Sequence, residues 1–310
     1  MITISLANIK QNIRVLKRTG KKVFADLSFN AYGLGGEDMF RNLMFEADGF
    51  VFDCNAEVVS MISSLRSRRP TIFARSHIEP FVFAGIAYNN HTATLHSIND
   101  FNALAGHATS TGVLRVMLEI DTGSGYGLKV EEAKYVMSQV QDNAAYSNVI
   151  VNGFLLDYYV ESVHQQLKTS YPTHDVCCYD DAEHSDFIIA SKLLFGYASS
   201  GVRTLSMHRA CVISGNILNY SVVGNKVFYV TDIPASATSL DYPILVNGEE
   251  TAEIEDVSIG AISYIGFYQS KQQPFPKRIE LVYPDEFSAI VEQLNQPKYV
   301  SFDHSSKPLN

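Results

Sequence analysis

Apolar residues in this chain recur at two alternating periods, and that alternation narrows the fold more than any other feature. Leu6, Ile9, Ile13 and Leu16 stand at helical spacing, after which "KKVFADLS" reads as a buried strand. Strand-like runs follow at "DGFVFD", "PTIFA", "TATL", "VLRVMLEID", "NVIVNGFLLD" and "DFIIASKLLFGY". Helix-like runs around "DMFRNLMFEA", "AEVVSMISSLRSR", "SINDFNALAGHA" and "VEEAKYVMSQVQ" lie between them. A β/α order sustained over about 200 residues predicts a parallel sheet covered by helices, and a closed (β/α)8 barrel is the economical form at this length. Chemistry on such a barrel sits at the C-terminal ends of its strands.

From about Ser206 the texture changes to short β-rich runs, "RACVISGNILNYSVVG", "NKVFYVTD", "YPILVNGEETAEIEDVSIGAISYIGFY" and "KRIELVYP". The sequence therefore predicts an α/β chain of two domains, a barrel over 1–205 and a smaller, mostly β domain over 206–310. The boundary is expected between Tyr197 and Leu205, where "ASSGVRT" has linker composition.

Charge and composition remove several function classes. The 310 residues are 46% hydrophobic, enough for well-buried cores, and carry a formal net charge of −9 with no basic block. A nucleic-acid partner has little electrostatic support. No run of about 18 apolar residues exists to span a membrane, and the N-terminal stretch carries charges where a signal peptide needs an apolar run. A cytoplasmic protein with reduced thiols is the expectation, since Cys54, Cys177, Cys178 and Cys211 form no CxxC pair. The densest set of metal-ligand types is "HDVCCYDDAEHSD", with His174, Asp175, Cys177, Cys178, Asp180, Asp181, His184 and Asp186. Adjacent cysteines do not readily face one tetrahedral ion, so no metal is expected there.

Asn30, Ala31, Tyr32 and Gly33 follow the first barrel strand directly. With "SLANIKQNIRVLK", "DGFVFDCNAEVVSMISSLR", "VMLEIDTG", "NGFLLDYY", "LLFGY" and "YPILVNGEE", in that order and spacing, the chain resembles the alanine racemase family, the fold-type III pyridoxal-phosphate enzymes. The resemblance covers most of the chain. It implies a barrel followed by a β domain, amino-acid racemisation, and a head-to-tail dimer in which the β domain of one subunit closes over the barrel mouth of the other. It also places Asn30 and Tyr32 on a cofactor-binding string, with Tyr32 at the cofactor phosphate.

The departures from that family bear on chemistry. The family carries its Schiff-base lysine two residues before the Asn of NAYG, and here that position is Ser28. A serine forms no imine, so it neither anchors the cofactor covalently nor takes the α-proton. The arginine beside the pyridine nitrogen aligns with Ile189, the arginine after DTG with Tyr126, and a Met-Asp pair near the substrate carboxylate with Ile259 and Gly260. Tyr229 aligns with the tyrosine that serves as the second base across the dimer interface. Glu119 aligns with a lysine that some members carry as an anionic carbamate, whose charge a carboxylate imitates. Tyr32, Tyr229 and Glu119 also have plainly structural readings, as packed or hydrogen-bonded residues.

A relocated lysine is poorly supplied. Lys21 and Lys22 precede the first strand, and Lys22 lies ~20 Å of extended chain from Ser28, at the barrel's other end. Lys192, read as part of the last strand, has the opposite facing to Ile189. Two functions follow. One is a non-racemising relative that binds a small amino-acid or phosphate ligand, or acts as a partner in a homodimer or in a mixed dimer with a genuine racemase. The other is an isomerase that holds pyridoxal phosphate non-covalently or on another lysine. Acid/base chemistry at Asp26, which shares strand parity with Ser28, is a third reading.

Overall fold

A computed structural model describes residues 2–32, 34–65, 69–74, 80–104, 112–196, 207–208, 210–234, 244–246, 249–251, 254–259, 262–272, 275–276, 279–281 and 300–303. The expected domain boundary and Gly260 lie outside these. The chain divides into two compact units: residues 10–194 with 198–207, and residues 1–9 with 195–197 and 208–310.

The chain opens with strand β1 (Ile2–Ser5) and helix α1 (Leu6–Lys17), whose Leu6, Ile9, Ile13 and Leu16 are all buried, as their spacing predicts. Strand β2 (Val23–Asp26) and the left-handed turn α2 (Ser28–Tyr32) follow, then α3 (Gly36–Leu43) and β3 (Gly49–Asp53). The alternation continues through α4 (Ala56–Ser64), β4 (Thr71–Ala74), α5 (Pro80–Tyr88), β5 (Thr92–Leu95), α6 (Ile98–Leu104) and β6 (Leu114–Ile120). It ends with α7 (Val130–Asp142), β7 (Val149–Leu156), α8 (Glu161–Ser170), β8 (Asp175–Cys178) and β9 (Ile188–Ala190).

Strands β2 to β9 form one eight-stranded parallel sheet in the order β8-β7-β6-β5-β4-β3-β2-β9. A parallel bridge between Tyr179 and Ile189 brings its two edges together, so the sheet is a nearly closed barrel. The lumen is packed by an apolar cluster that includes Phe24, Val51, Ile72, Met117, Leu155 and Ile189. Helices cover the outside by their apolar stripes. Phe40 of α3, for example, lies 4.6 Å from Phe50 of β3, and burying such a ring stabilises by about 1.5–3 kcal/mol. Asn55 caps α4 by accepting from the Val58 N–H at 2.8 Å, a bond whose loss to alanine costs ~1 kcal/mol.

Several elements depart from the expected list. Strand β8 lies inside the acid-rich stretch read for metal ligands, because four residues with two cysteines show no usable period. The run "DFIIASKLLFGY" is a strand only over Ile188–Ala190, and Lys192 opens a 3-10 turn, Lys192–Phe195. Helix α5, "PFVFAGIAY", is apolar almost all round and shows no amphipathic stripe, and α8 has only Val163 and Leu167 on its apolar side, too short a run to mark a helix in sequence.

The second unit is β-rich. One sheet has the order β14-β13-β17-β10-β1-β18, with β10 (Cys211–Gly215), β13 (Ile244–Val246), β14 (Glu249–Thr251), β17 (Ile279–Leu281) and β18 (Val300–Asp303). The first residues of the chain join this unit, because β1 pairs antiparallel with β10 and parallel with β18. A four-stranded antiparallel sheet has the order β11-β12-β16-β15, with β11 (Ile217–Val223), β12 (Lys226–Pro234), β15 (Ile254–Ile259) and β16 (Ile262–Ser270). Among the described residues no helix is long and apolar enough to cross a membrane.

Candidate functional site

The C-terminal rim of the barrel gathers an unusual set of buried polar groups. Asp26 ends β2 fully buried, and its carboxylate accepts from the Ser28 N–H at 3.1 Å and from the Ser191 hydroxyl at 2.5 Å. Ser28 is also fully buried, yet its own hydroxyl has no hydrogen-bond partner among the described residues. Leaving such a group unpaired costs about 1–3 kcal/mol, which marks the position as more than packing.

The backbone just after Ser28 is strained. Phe29, Asn30 and Ala31 have φ of 53°, 57° and 52° with ψ near 45°, a left-handed turn that disfavours L-residues by roughly 1–2 kcal/mol each. It is held from several sides. The Asp53 carboxylate, at the end of β3, accepts from the Phe29 N–H, and the Leu27 carbonyl accepts from the Ala31 N–H at 2.9 Å. The Asn30 side chain accepts from the Gly36 N–H at 2.7 Å, so it serves the start of α3. Tyr32 ends this turn. Held strain of this kind concentrates at working sites.

The exit of β6 supplies the next group. Glu119 is fully buried and shares strand parity with Met117 of the lumen cluster, so it belongs to the inner face. In the loop that follows, the Asp121 carboxylate accepts from the N–H groups of Gly123 at 2.8 Å and Gly125 at 3.0 Å, which hold it below the usual carboxylate range. The Tyr126 ring stacks on His96 at 4.7 Å, and the Nδ1 of His96 is 3.1 Å from Asp100. Thr94, on β5, has a buried hydroxyl without a hydrogen-bond partner among the described residues. Sequence reasoning missed Thr94 and His96, which stand in the run "TATLH" with no motif around them.

The closing strand differs from expectation. Ile189 is fully buried in the lumen cluster and offers no donor. Ser191, two residues on, takes the inner position, and Lys192 is exposed past the strand's end rather than within it. The N–H groups of Ser191, Lys192 and Leu193 all donate to Asp180, at 2.7 to 3.1 Å. Burial pushes Asp180 up to about 6, against those three bonds and with Asp26 adding to the rise. Nothing in the sequence marks Ser191, and Asp180 stands out only within the acid-rich metal-ligand stretch, because hydrogen bonds between residues apart in the chain leave no local pattern.

The acid-rich stretch is dispersed by the fold. Cys177 faces the lumen cluster, Cys178 is the next residue on β8 and so turns to the other face, and burial pushes the Cys178 thiol up to about 12. His184 stacks on Tyr159 at 3.7 Å and bonds Asp181. Among the described residues no group of three or more His, Cys, Asp or Glu is placed to hold a metal ion.

In the β-rich unit, Tyr229 on β12 is buried in an aromatic cluster. It stacks on Phe267 at 5.2 Å and meets the edge of Phe275 at 5.4 Å, and burial raises its hydroxyl above the usual range. Ile259 ends β15, paired with Ile262.

The family described as alanine racemase, N-terminal domain, matches residues 4–168, more than half of the chain. An alanine racemase from Mannheimia succiniciproducens is 27% identical over 144 residues, 46% of this chain and 40% of that one, so the chain spans well under half of that relative's length in the match. Among solved structures, the biosynthetic alanine racemase from Pseudomonas aeruginosa superposes with a TM-score of 0.77 at 14% identity, covering 98% of this chain and 99% of that one. The alanine racemase from Bartonella henselae with covalently bound pyridoxal phosphate gives 0.75 at 14% identity, covering 98% of each. At these identities the superpositions speak for the fold alone.

Proposed function

Because this chain belongs to the alanine racemase family, we propose that it is a member that does not racemise: a ligand-binding or dimer-partner protein of the cytoplasm. One observation carries the reading. Ser28, two residues past the end of β2 at the barrel's C-terminal rim, is a buried serine whose hydroxyl has no partner among the described residues, and a hydroxyl cannot form an imine. Ile189, buried among apolar side chains, offers nothing to the nitrogen of a pyridine ring. The described residues therefore do not fit pyridoxal phosphate held as a Schiff base at position 28. What they do offer at the rim are the unpartnered hydroxyls of Ser28 and Thr94, beside the buried carboxylates of Asp26 and Glu119, a polar lining for a small hydrogen-bonding ligand.

A dimer is part of this proposal. Leu218, Tyr220 and Val222 alternate along β11, the edge of the four-stranded sheet, and each is more than half exposed. Such a row of exposed apolar side chains favours a second subunit, either another copy or a genuine racemase.

The test is direct. The protein is incubated with pyridoxal phosphate, reduced with borohydride, and its lysines are mapped by mass spectrometry. No labelled lysine is expected. A stoichiometric adduct on Lys192 or any other lysine would overturn the reading in favour of an enzyme with a relocated anchor.

A further inference from the structure

At the opposite end of the barrel, where the strands begin, lies a cavity of about 430 Å³. This face of a barrel ordinarily serves stability and is packed. Here its floor is apolar: Phe24 and Phe187, with ring centroids 4.6 Å apart, and beside them Ile72 and Met117. Two local features shape it. Gly49 has no side chain where a Cβ would fall 2.3 Å from the Phe24 ring, so that ring lies against β3. A bulge in β7, opposite Val116 and Met117 of β6, makes Asn152 the extra residue and aims its amide into the cavity near Thr92.

The rim carries unlike charges. Lys21 is occupied by the carbonyls of Ala182 and Glu183 at 2.9 and 2.7 Å, and Asp186 takes the Lys168 ammonium and the Val176 N–H. Lys22 and Asp175 remain, both exposed, and neither is in an ion pair among the described residues. Burial and the neighbouring Asp186 raise the Asp175 carboxyl despite the lowering pull of Lys168, Lys22 and His174, so a further cation brought to it would be stabilising. One ammonium and one carboxylate above an aromatic and aliphatic floor match a molecule with the inverse charges a short distance apart and one apolar substituent.

We propose that this cavity binds a free α-amino acid with an apolar side chain, its carboxylate at Lys22, its ammonium at Asp175, and its side chain on Phe24, Ile72, Met117 and Phe187. The site is separate from the C-terminal rim and does not depend on how that rim functions. Binding of L-leucine, L-methionine and L-phenylalanine to the full chain is measured by isothermal titration calorimetry at millimolar ligand. At least one is expected to saturate. L-leucinol, which lacks the carboxylate, and 4-methylpentanoate, which lacks the ammonium, are expected to bind about tenfold more weakly than L-leucine, a loss of one charged contact each. Lys22→Gln should abolish the preference for leucine over leucinol, and Asp175→Asn the preference over 4-methylpentanoate; both positions are exposed, and circular dichroism checks that each variant is folded. Absence of saturable binding by all three amino acids, or binding that both variants leave unchanged, would overturn the proposal.

Discussion

The Ser191 hydroxyl donates to the Asp26 carboxylate at 2.5 Å, joining the exit of the last barrel strand to the exit of the first across 165 residues of chain. The pair sits over the seam where β9 pairs with β2, Val23 against Ile188 and Ala25 against Ala190. It ties the ends of these two neighbouring strands together on the side that carries Ser28. Asp26→Ala would leave the Ser28 N–H and the Ser191 hydroxyl buried without this acceptor, at a cost of about 3 kcal/mol. Ser191→Ala should cost ~1 kcal/mol, since Asp26 keeps the Ser28 N–H. Urea unfolding midpoints measure both, and equal losses would mean that the carboxylate does not organise the seam.

Asp180 makes the stability of the barrel depend on pH in a stated direction. Its folded value of about 6 lies above the ordinary 3.8, so the folded state holds the proton more tightly than the unfolded chain. Its contribution is fully present below about pH 4 and is lost as pH rises through 6. Asp180→Asn should therefore gain stability relative to the parent between pH 4.5 and 7, on the order of 2 kcal/mol across that window. Denaturation midpoints at the two pH values check this, and a constant difference between variant and parent would contradict it.

Restoring a lysine alone should not restore racemisation. Ser28→Lys supplies an amine, but Ile189 still offers no donor and Tyr126 remains stacked on His96. Groups that act as a unit do not contribute additively. A coupled assay of alanine racemisation with added pyridoxal phosphate should stay at the blank, and turnover above it would show that position 28 was the one missing part.

The left-handed turn offers a test of stored strain. Phe29 has a φ of 53° and is 54% exposed, so glycine there relieves the backbone with little loss of packing. Phe29→Gly should be neutral or stabilising by up to ~1 kcal/mol, whereas Phe29→Val should destabilise by ~1 kcal/mol or more because a β-branched residue resists this region. Thermal melts of the two variants rank them, and the reverse order would place the strain elsewhere.

Association should depend on the exposed face of β11. Leu218 and Val222 stand 51% and 58% exposed on the edge strand. A dimer mass is expected from light scattering of the parent, and Leu218→Glu with Val222→Glu should shift it to monomer, since paired like charges do not bury. A monomer mass for the parent over a broad concentration range would end the idea of regulation through mixed dimers.

Local patterns were legible where one residue's environment repeats along the chain. The stripe Leu6, Ile9, Ile13, Leu16 announces α1, and runs such as "DGFVFD" and "VLRVMLEID" announce β3 and β6, because burial on one or both faces forces apolar residues at the period of the element. Ser28 and the NAYG string after it were legible for a second reason, since residue identity alone decides whether an imine can form. Where the environment does not repeat, the sequence is silent. Helix α5 is apolar all round, and β8 is too short and too acidic at its edges to read as a strand.

What the chain determined by itself is therefore the element order, the barrel that such an order favours, and the absence of an amine at position 28. The tertiary structure alone decided which polar groups share the rim: Asp26 with Ser191, Asp180 with the three amides after β9, and Tyr126 against His96. It also decided that Cys177 and Cys178 part to opposite faces and that Lys22 and Asp175 share a cavity rim. The reason is physical. Apolar burial is proportional to area and indifferent to partner, so it leaves a periodic trace, whereas a hydrogen bond or ion pair needs two particular atoms within about 3 Å and leaves none until closure of the sheet brings distant residues together.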